Sequence, residues 1–196
     1  MSMNFTSLVA SFVLVAVAEL GDKTQIAVIT LSSRFKAFSV FSGAMLAFLL
    51  TTGIAVAIGD ALTLVLPIFW IRVIAAAILL IFGVYTIISR KEEAEVKTKE
   101  VRNAVFYSFS LVTLMELGDK TQFAVIALSA EYDFPLLVYV GVMMAFAIIT
   151  GLGATIGATL TRFVSLKYIQ LGGGLIFILF GIVFLINALL GFTSFV

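Results

Sequence analysis

Glu19-Leu20-Gly21-Asp22-Lys23-Thr24-Gln25 puts two carboxylates, an ammonium, a hydroxyl and an amide inside a stretch otherwise apolar enough to cross a membrane. The same letters return as Glu116-Leu117-Gly118-Asp119-Lys120-Thr121-Gln122. A charge near the centre of a membrane helix costs roughly 2.5–3.5 kcal/mol, so the six charges of the two copies would cost on the order of 15–20 kcal/mol if unpaired. Charged groups kept at that depth bind something or pair with one another. The chain has no histidine and no cysteine, so imidazole and thiolate ligands are excluded and a metal site must be built from oxygen. All-oxygen sites suit hard cations such as Ca2+, Mg2+ and Mn2+, and argue against copper or thiolate-bound zinc.

The candidate metal ligands are Glu19, Asp22, Glu116 and Asp119, with Lys23, Thr24, Gln25, Lys120, Thr121 and Gln122 as supporting polar or charge-balancing groups. Four carboxylates and two ammoniums leave a surplus of two negative charges. One divalent cation would cancel it, and so would two protons. Taking carboxylates out of water favours their protonated form, so the pattern predicts exchange of one divalent ion for two protons at the same oxygens. On a helix Glu19, Asp22 and Lys23 share one face through their i,i+3 and i,i+4 spacing. Gly21 and Gly118 weaken the helix beside each aspartate, which predicts a kink or partial unwinding there. A plainer reading makes Glu19–Lys23 and Glu116–Lys120 intrahelical ion pairs. Two identical copies at equal depth favour the binding site over that reading.

The elements that position these residues are membrane helices. Hydrophobic residues make up 62% of the 196 and charged ones 12%, with a mean hydropathy of +1.22. A soluble domain has about 45–50% apolar and about 25% charged residues. The net charge of +1, with no basic stripe beyond the central loop, excludes a nucleic-acid partner. Met1 to Ser7 lacks the basic start of a cleavable signal, so the first apolar stretch is expected to stay as a helix. About 20 apolar residues span a bilayer. Stretches of that length run over Leu8–Ser33, Phe38–Leu66, Ile68–Ser89, Asn103–Ala130, Pro135–Leu160 and Tyr168–Leu190. Between the halves, Arg90–Arg102 carries Glu93/Lys97 and Glu95/Lys99 at i,i+4, as a solvated linker would.

The halves match well beyond the motif. From Glu19–Leu31 to Glu116–Leu128 only two of thirteen positions differ, Ile26/Phe123 and Thr30/Ala127. Further on, Gly43 matches Gly141, Ala47-Phe48 matches Ala145-Phe146, Thr52-Gly53 matches Thr150-Gly151 and Phe82-Gly83 matches Phe180-Gly181. The expected fold is an all-α polytopic membrane protein of six transmembrane helices in two three-helix repeats, 1–89 and 103–196, joined by the charged cytoplasmic linker 90–102. Together they make one transmembrane domain. Arg34, Lys36, Arg90, Lys91, Lys97, Lys99, Arg102, Arg162 and Lys167 fall on one side, whereas Arg72, Asp60, Glu131 and Asp133 fall on the other. The positive-inside rule makes the first side cytoplasmic and puts both termini outside. An odd number of helices per repeat inverts the second copy, an arrangement found in secondary transporters whose site lies at the midplane between repeats. Gly43, Gly53, Gly141, Gly151, Gly172, Gly173 and Gly174 read as close-packing positions. Thr52 and Thr150 read as bonding to nearby backbone, with a place in the ion path as the alternative.

The paired E-x-G-D-(K/R)-(T/S) motifs on the first and fourth helices of a duplicated protein resemble a family of cation/proton exchangers. That family includes Golgi and chloroplast manganese and calcium transporters and bacterial manganese exporters of the MneA type. The resemblance covers essentially the whole chain. It implies that Glu19, Asp22, Glu116 and Asp119 bind the ion, that Lys23, Thr24, Lys120 and Thr121 support them, and that Mn2+ is exported against protons. It also implies a multi-pass protein of a bacterial inner membrane with no cofactor besides the transported ions. A Ca2+/proton exchanger with the same site is the nearest rival. A passive cation channel and an intramembrane acid-dyad hydrolase are rivals from other classes. A homo-oligomer is compatible with the sequence.

Overall fold

The computed structural model describes residues 5–88, 103–160 and 166–193, and among them the fold is entirely helical. The helices are α1 (Thr6–Glu19), α2 (Lys23–Ser32), α3 (Ala37–Val65), α4 (Ile68–Ile88), α5 (Ala104–Glu116), α6 (Lys120–Glu131), α7 (Pro135–Leu160) and α8 (Leu166–Thr193). The expected linker 90–102 and most of the basic loop 162–167 lie outside the described residues.

Local chemistry sets several of these boundaries. Leu66, the residue before Pro67, is extended at φ −113°, ψ 138°, because the proline ring disfavours a helical neighbour, so α3 stops there. Pro135 begins α7, where its missing N–H has no helical partner to lose. Asn103 caps α5, its side chain accepting from the N–H groups of Val105 at 3.1 Å and Phe106 at 3.2 Å.

Four helices are long and apolar enough to cross a membrane among the described residues: α3, α4, and the stretches Pro135–Thr155 of α7 and Leu171–Gly191 of α8. The first and fourth expected spans are different. Each is interrupted, giving α1 and α2 in one half and α5 and α6 in the other. At 1.5 Å per residue, α1 and α2 reach about 21 and 15 Å, short of a ~30 Å hydrocarbon core unless taken together. The expected single helix with Glu19, Asp22 and Lys23 on one face is therefore replaced by two half-helices that meet at the motif.

The two halves interlock. Helix α3 packs on α5 and α6 of the other half, and α7 packs on α1 and α2. Glycine permits both close approaches. A methyl group at Gly43 would strike the Val105 carbonyl and the Ser108 side chain, and one at Gly141 would strike the Leu8 carbonyl and Ser11. Helices α3 and α7 meet each other through Phe48 and Phe146, corresponding residues whose rings stack 3.7 Å apart at 16°. Helices α4 and α8 form the other close pair, with Gly83 and Gly174 backbone to backbone. Among the described residues Gly53 and Gly151 have only aromatic edges near them, at 3.9 and 3.7 Å, and Gly172 has no atom in reach, so the close-packing expectation is not met at these three. One feature breaks the pairing of halves: α4 also packs on α6, with Phe82 and Phe123 stacked at 6.0 Å, whereas α8 packs on α1.

Candidate cation site

Each motif is a tight turn between two half-helices. Leu20 (φ −57°, ψ 116°) and Gly21 (φ 66°) have the type II pattern, closed by the Asp22 N–H donating to the Glu19 carbonyl at 3.1 Å. Leu117 (φ −63°, ψ 114°), Gly118 (φ 76°) and the Asp119 N–H to the Glu116 carbonyl, also 3.1 Å, repeat it. The third position of this turn needs positive φ, which is why glycine stands there. Each glutamine steadies its own turn from one helical turn downstream. The Gly21 N–H donates to Gln25 Oε1, and the Gly118 N–H donates to Gln122 Oε1 at 2.7 Å.

This geometry places one acid at the end of the first half-helix and one at the start of the second. Asp22 and Asp119 hold the N-cap positions of α2 and α6, where an aspartate ordinarily accepts an N–H of the first turn. Neither does so. Glu19, Asp22 and Asp119 each offer a carboxylate oxygen within 4.8 Å of the others. Glu116 is not in that group of three, although it is 2% exposed and lies close by. Both glutamates are held by the opposite half. Thr121 donates to Glu19 Oε1 and Thr24 donates to Glu116 Oε1, each at 2.6 Å.

The two lysines part company. Lys120 Nζ lies 2.5 Å from Asp22 Oδ1 of the other half and 3.6 Å from Asp119 Oδ2, whereas Lys23 is exposed and makes no ion pair among the described residues. The intrahelical pairs Glu19–Lys23 and Glu116–Lys120 are not formed. The charge count changes accordingly, since four carboxylates face one ammonium and the formal surplus is three negative charges rather than two. Asp119 Oδ2 is buried and accepts no hydrogen bond from the described residues.

A cleft lined by Thr51, Thr52 and Ala55 of α3 and Phe146 of α7 reaches Glu116, Thr121 and Gln122. Thr51, a residue the sequence reading passed over, donates to the Ala47 carbonyl at 3.0 Å and keeps its place in this wall. A pair of hydroxyl residues midway along a long apolar helix was the available signal. Thr52 lines the same cleft, as its alternative reading has it, and makes no side-chain bond to backbone among the described residues.

Comparison with known proteins agrees with the duplicated pattern. A family model described as divalent cation/proton antiporter GDT1 matches residues 7–94 and 104–191, one stretch in each half. Protein PAM71, chloroplastic, of Arabidopsis thaliana is 30% identical, over 89% of this chain and 55% of its own length. GDT1-like protein 2, chloroplastic, of Oryza sativa is 30% identical over 88% of this chain and 59% of its own. GDT1-like protein sll0615 of Synechocystis is 29% identical over 91% of this chain and 96% of its own. The chain thus spans a little over half the length of the two plant relatives and nearly all of the cyanobacterial one. No solved structure matches it.

Proposed function

We propose that this chain, which belongs to the divalent cation/proton antiporter family GDT1, is a secondary transporter that carries Mn2+ in exchange for protons through the cluster at the two interrupted helices. The observation that carries this reading is the convergence of Glu19, Asp22 and Asp119, from both halves, on one small volume. Hard divalent cations bind to such oxygen sets. At the motifs α1 and α5 end with their negative dipole ends and α2 and α6 begin with their positive ones, so the half-helix dipoles offset one another and the carboxylates supply the field for a cation. Thr24 and Thr121 hold the glutamates, Gln25 and Gln122 hold the turns, and Glu116 is the carboxylate that lines the cleft. Protons compete for the same oxygens, which couples the two fluxes.

In this reading α1–α2 and α5–α6 each cross the bilayer as one broken span, so the chain makes six crossings in two inverted repeats with both termini outside a bacterial inner membrane. Mn2+ is the first substrate to test and Ca2+ the second.

The test is uptake of Mn2+, Ca2+ and Mg2+ into proteoliposomes under a clamped pH gradient, wild type against Asp22→Asn and Asp119→Asn. Each variant is expected to lose at least tenfold in divalent flux and in the accompanying proton movement. Unchanged flux in both would remove the aspartates from the mechanism. Permeation that persists without a proton gradient and moves no protons would replace the exchanger with a channel. Flux that ignores membrane potential would support two protons per divalent ion.

A further inference from the structure

The motifs are identical in sequence and nearly so in backbone, with Asp22 at φ −75°, ψ 170° and Asp119 at φ −77°, ψ 162°, yet the lysine after each aspartate is placed differently. Lys120 reaches into the carboxylate cluster and Lys23 lies exposed. We propose that the Lys120 ammonium is a tethered stand-in for the transported cation, which fills the cluster when no divalent ion is bound and is driven out when one binds. The proposal rests on the reading of the cluster as the cation site and adds how that site is kept filled and emptied.

Three observations support it. First, the ammonium uses the oxygens an ion needs. Its two carboxylate contacts, Asp22 Oδ1 at 2.5 Å and Asp119 Oδ2 at 3.6 Å, belong to two of the three converging acids. A divalent ion bonded to those oxygens at about 2.0–2.6 Å competes with the ammonium for them and repels its charge. Second, only acids of the cluster anchor the ammonium. Among the described residues its hydrogen-bond and ion-pair partners are these two carboxylates, Glu19 acts on its charge as well, and no hydroxyl or backbone carbonyl is there to hold it once an ion arrives. A lysine is a compact charge on a flexible four-carbon stem and can leave by side-chain rotation. Third, Lys23 shows the displaced position, because it leaves the site from the same local backbone.

The consequence concerns release. A short tether holds a competing charge at an effective concentration of order millimolar, so the ion can be expelled on the far side without a site of intrinsically low affinity. On the return leg the ammonium offsets one of the four carboxylate charges and leaves the others to the protons of the exchange. The competing account makes Lys120 a fixed strut that holds Asp22 and Asp119 ready for the ion.

Two measurements on the purified full chain in detergent separate these accounts. Calorimetric Mn2+ titration of wild type, Asp22→Asn and Lys120→Gln is expected to show binding lost in Asp22→Asn and tightened at least tenfold in Lys120→Gln. Equal or weaker binding by Lys120→Gln overturns the stand-in, since a strut's removal loosens the site. A nearby charge that never moves would also tighten binding when removed, so the second measurement uses the native side chain. Lys120 in wild type is labelled with a small amine-acetylating reagent and read by mass spectrometry, with and without saturating Mn2+. Faster labelling of Lys120 with Mn2+ is expected, and protection or an unchanged rate overturns the proposal. If wild type binds none of Mn2+, Ca2+ or Mg2+, or binds them equally well as Asp22→Asn, the cation-site reading itself fails and the stand-in falls with it. Binding lost in Asp22→Asn but unaffected in Lys120→Gln sinks the stand-in alone.

Discussion

Thr24 and Thr121 each donate a hydroxyl proton to the glutamate of the opposite half, so two small side chains tie the halves together at the depth of the cluster. Hydrogen bonds between membrane helices average about 0.6 kcal/mol and reach about 1.7 kcal/mol. The acceptors here are buried carboxylates, which puts these two near the upper end. Thr24→Val and Thr121→Val keep the side-chain shape and delete the donor. Each is expected to lower stability by about 1–2 kcal/mol, by similar amounts, and to reduce divalent flux because its glutamate loses its orientation. Thermal unfolding in detergent, followed by uptake in proteoliposomes, checks both effects. A loss confined to one of the two would show that the bonds are not equivalent.

Breaking the first and fourth expected spans at the motif puts an aspartate at a helix start beside a glutamate at a helix end. An uninterrupted helix would also bring the pair to one face, but it would leave no helix end beside them. The break depends on a residue at positive φ, 66° at Gly21 and 76° at Gly118. A methyl group added at Gly118 meets no atom within 4 Å among the described residues, so a substitution there acts through the backbone. Gly118→Ala is expected to cost about 1–2 kcal/mol, and Gly118→Asn less, because asparagine tolerates the left-handed region better. Chemical denaturation in detergent gives the ranking. Alanine as benign as asparagine would mean that the turn can re-form without positive φ.

Across the whole molecule the arrangement is paired but not symmetric. Arg72 of α4 donates to Glu131 Oε2 at the end of α6 at 2.7 Å, and to the Asn187 carbonyl of α8 at 3.4 Å, fastening three helices at one end. The corresponding positions in the other half are Gln170 and Arg34, which cannot make that pair. The Glu131 side chain is 7% exposed, so removing its partner strands a nearly buried carboxylate. Arg72→Gln is expected to destabilise by about 1–3 kcal/mol. Arg72→Gln with Glu131→Gln should be less harmful than Arg72→Gln alone, since the stranded charge is gone. Unfolding of both single variants and the double variant completes the cycle, and strict additivity would mean the pair contributes nothing as a pair.

From the sequence by itself came the membrane class, the duplication, the chemistry of an all-oxygen site and the residues able to form it, because these depend on composition, local spacing and internal repetition. Pro67 and Pro135 also made helix ends readable, and Gly21 and Gly118 marked where two helices would be disturbed. Periodicity did not show that the disturbance is a full turn, since an apolar run looks the same whether or not its backbone is continuous. Tertiary structure alone decided that Thr24 faces Glu116 and Thr121 faces Glu19, that Asp119 joins Glu19 and Asp22 while Glu116 stands beside the cleft, and that Lys120 enters the cluster while Lys23 leaves it. Identical stretches adopt the same local backbone, but the environment of each side chain is set by helices about a hundred residues away, and no spacing within a motif contains that distance.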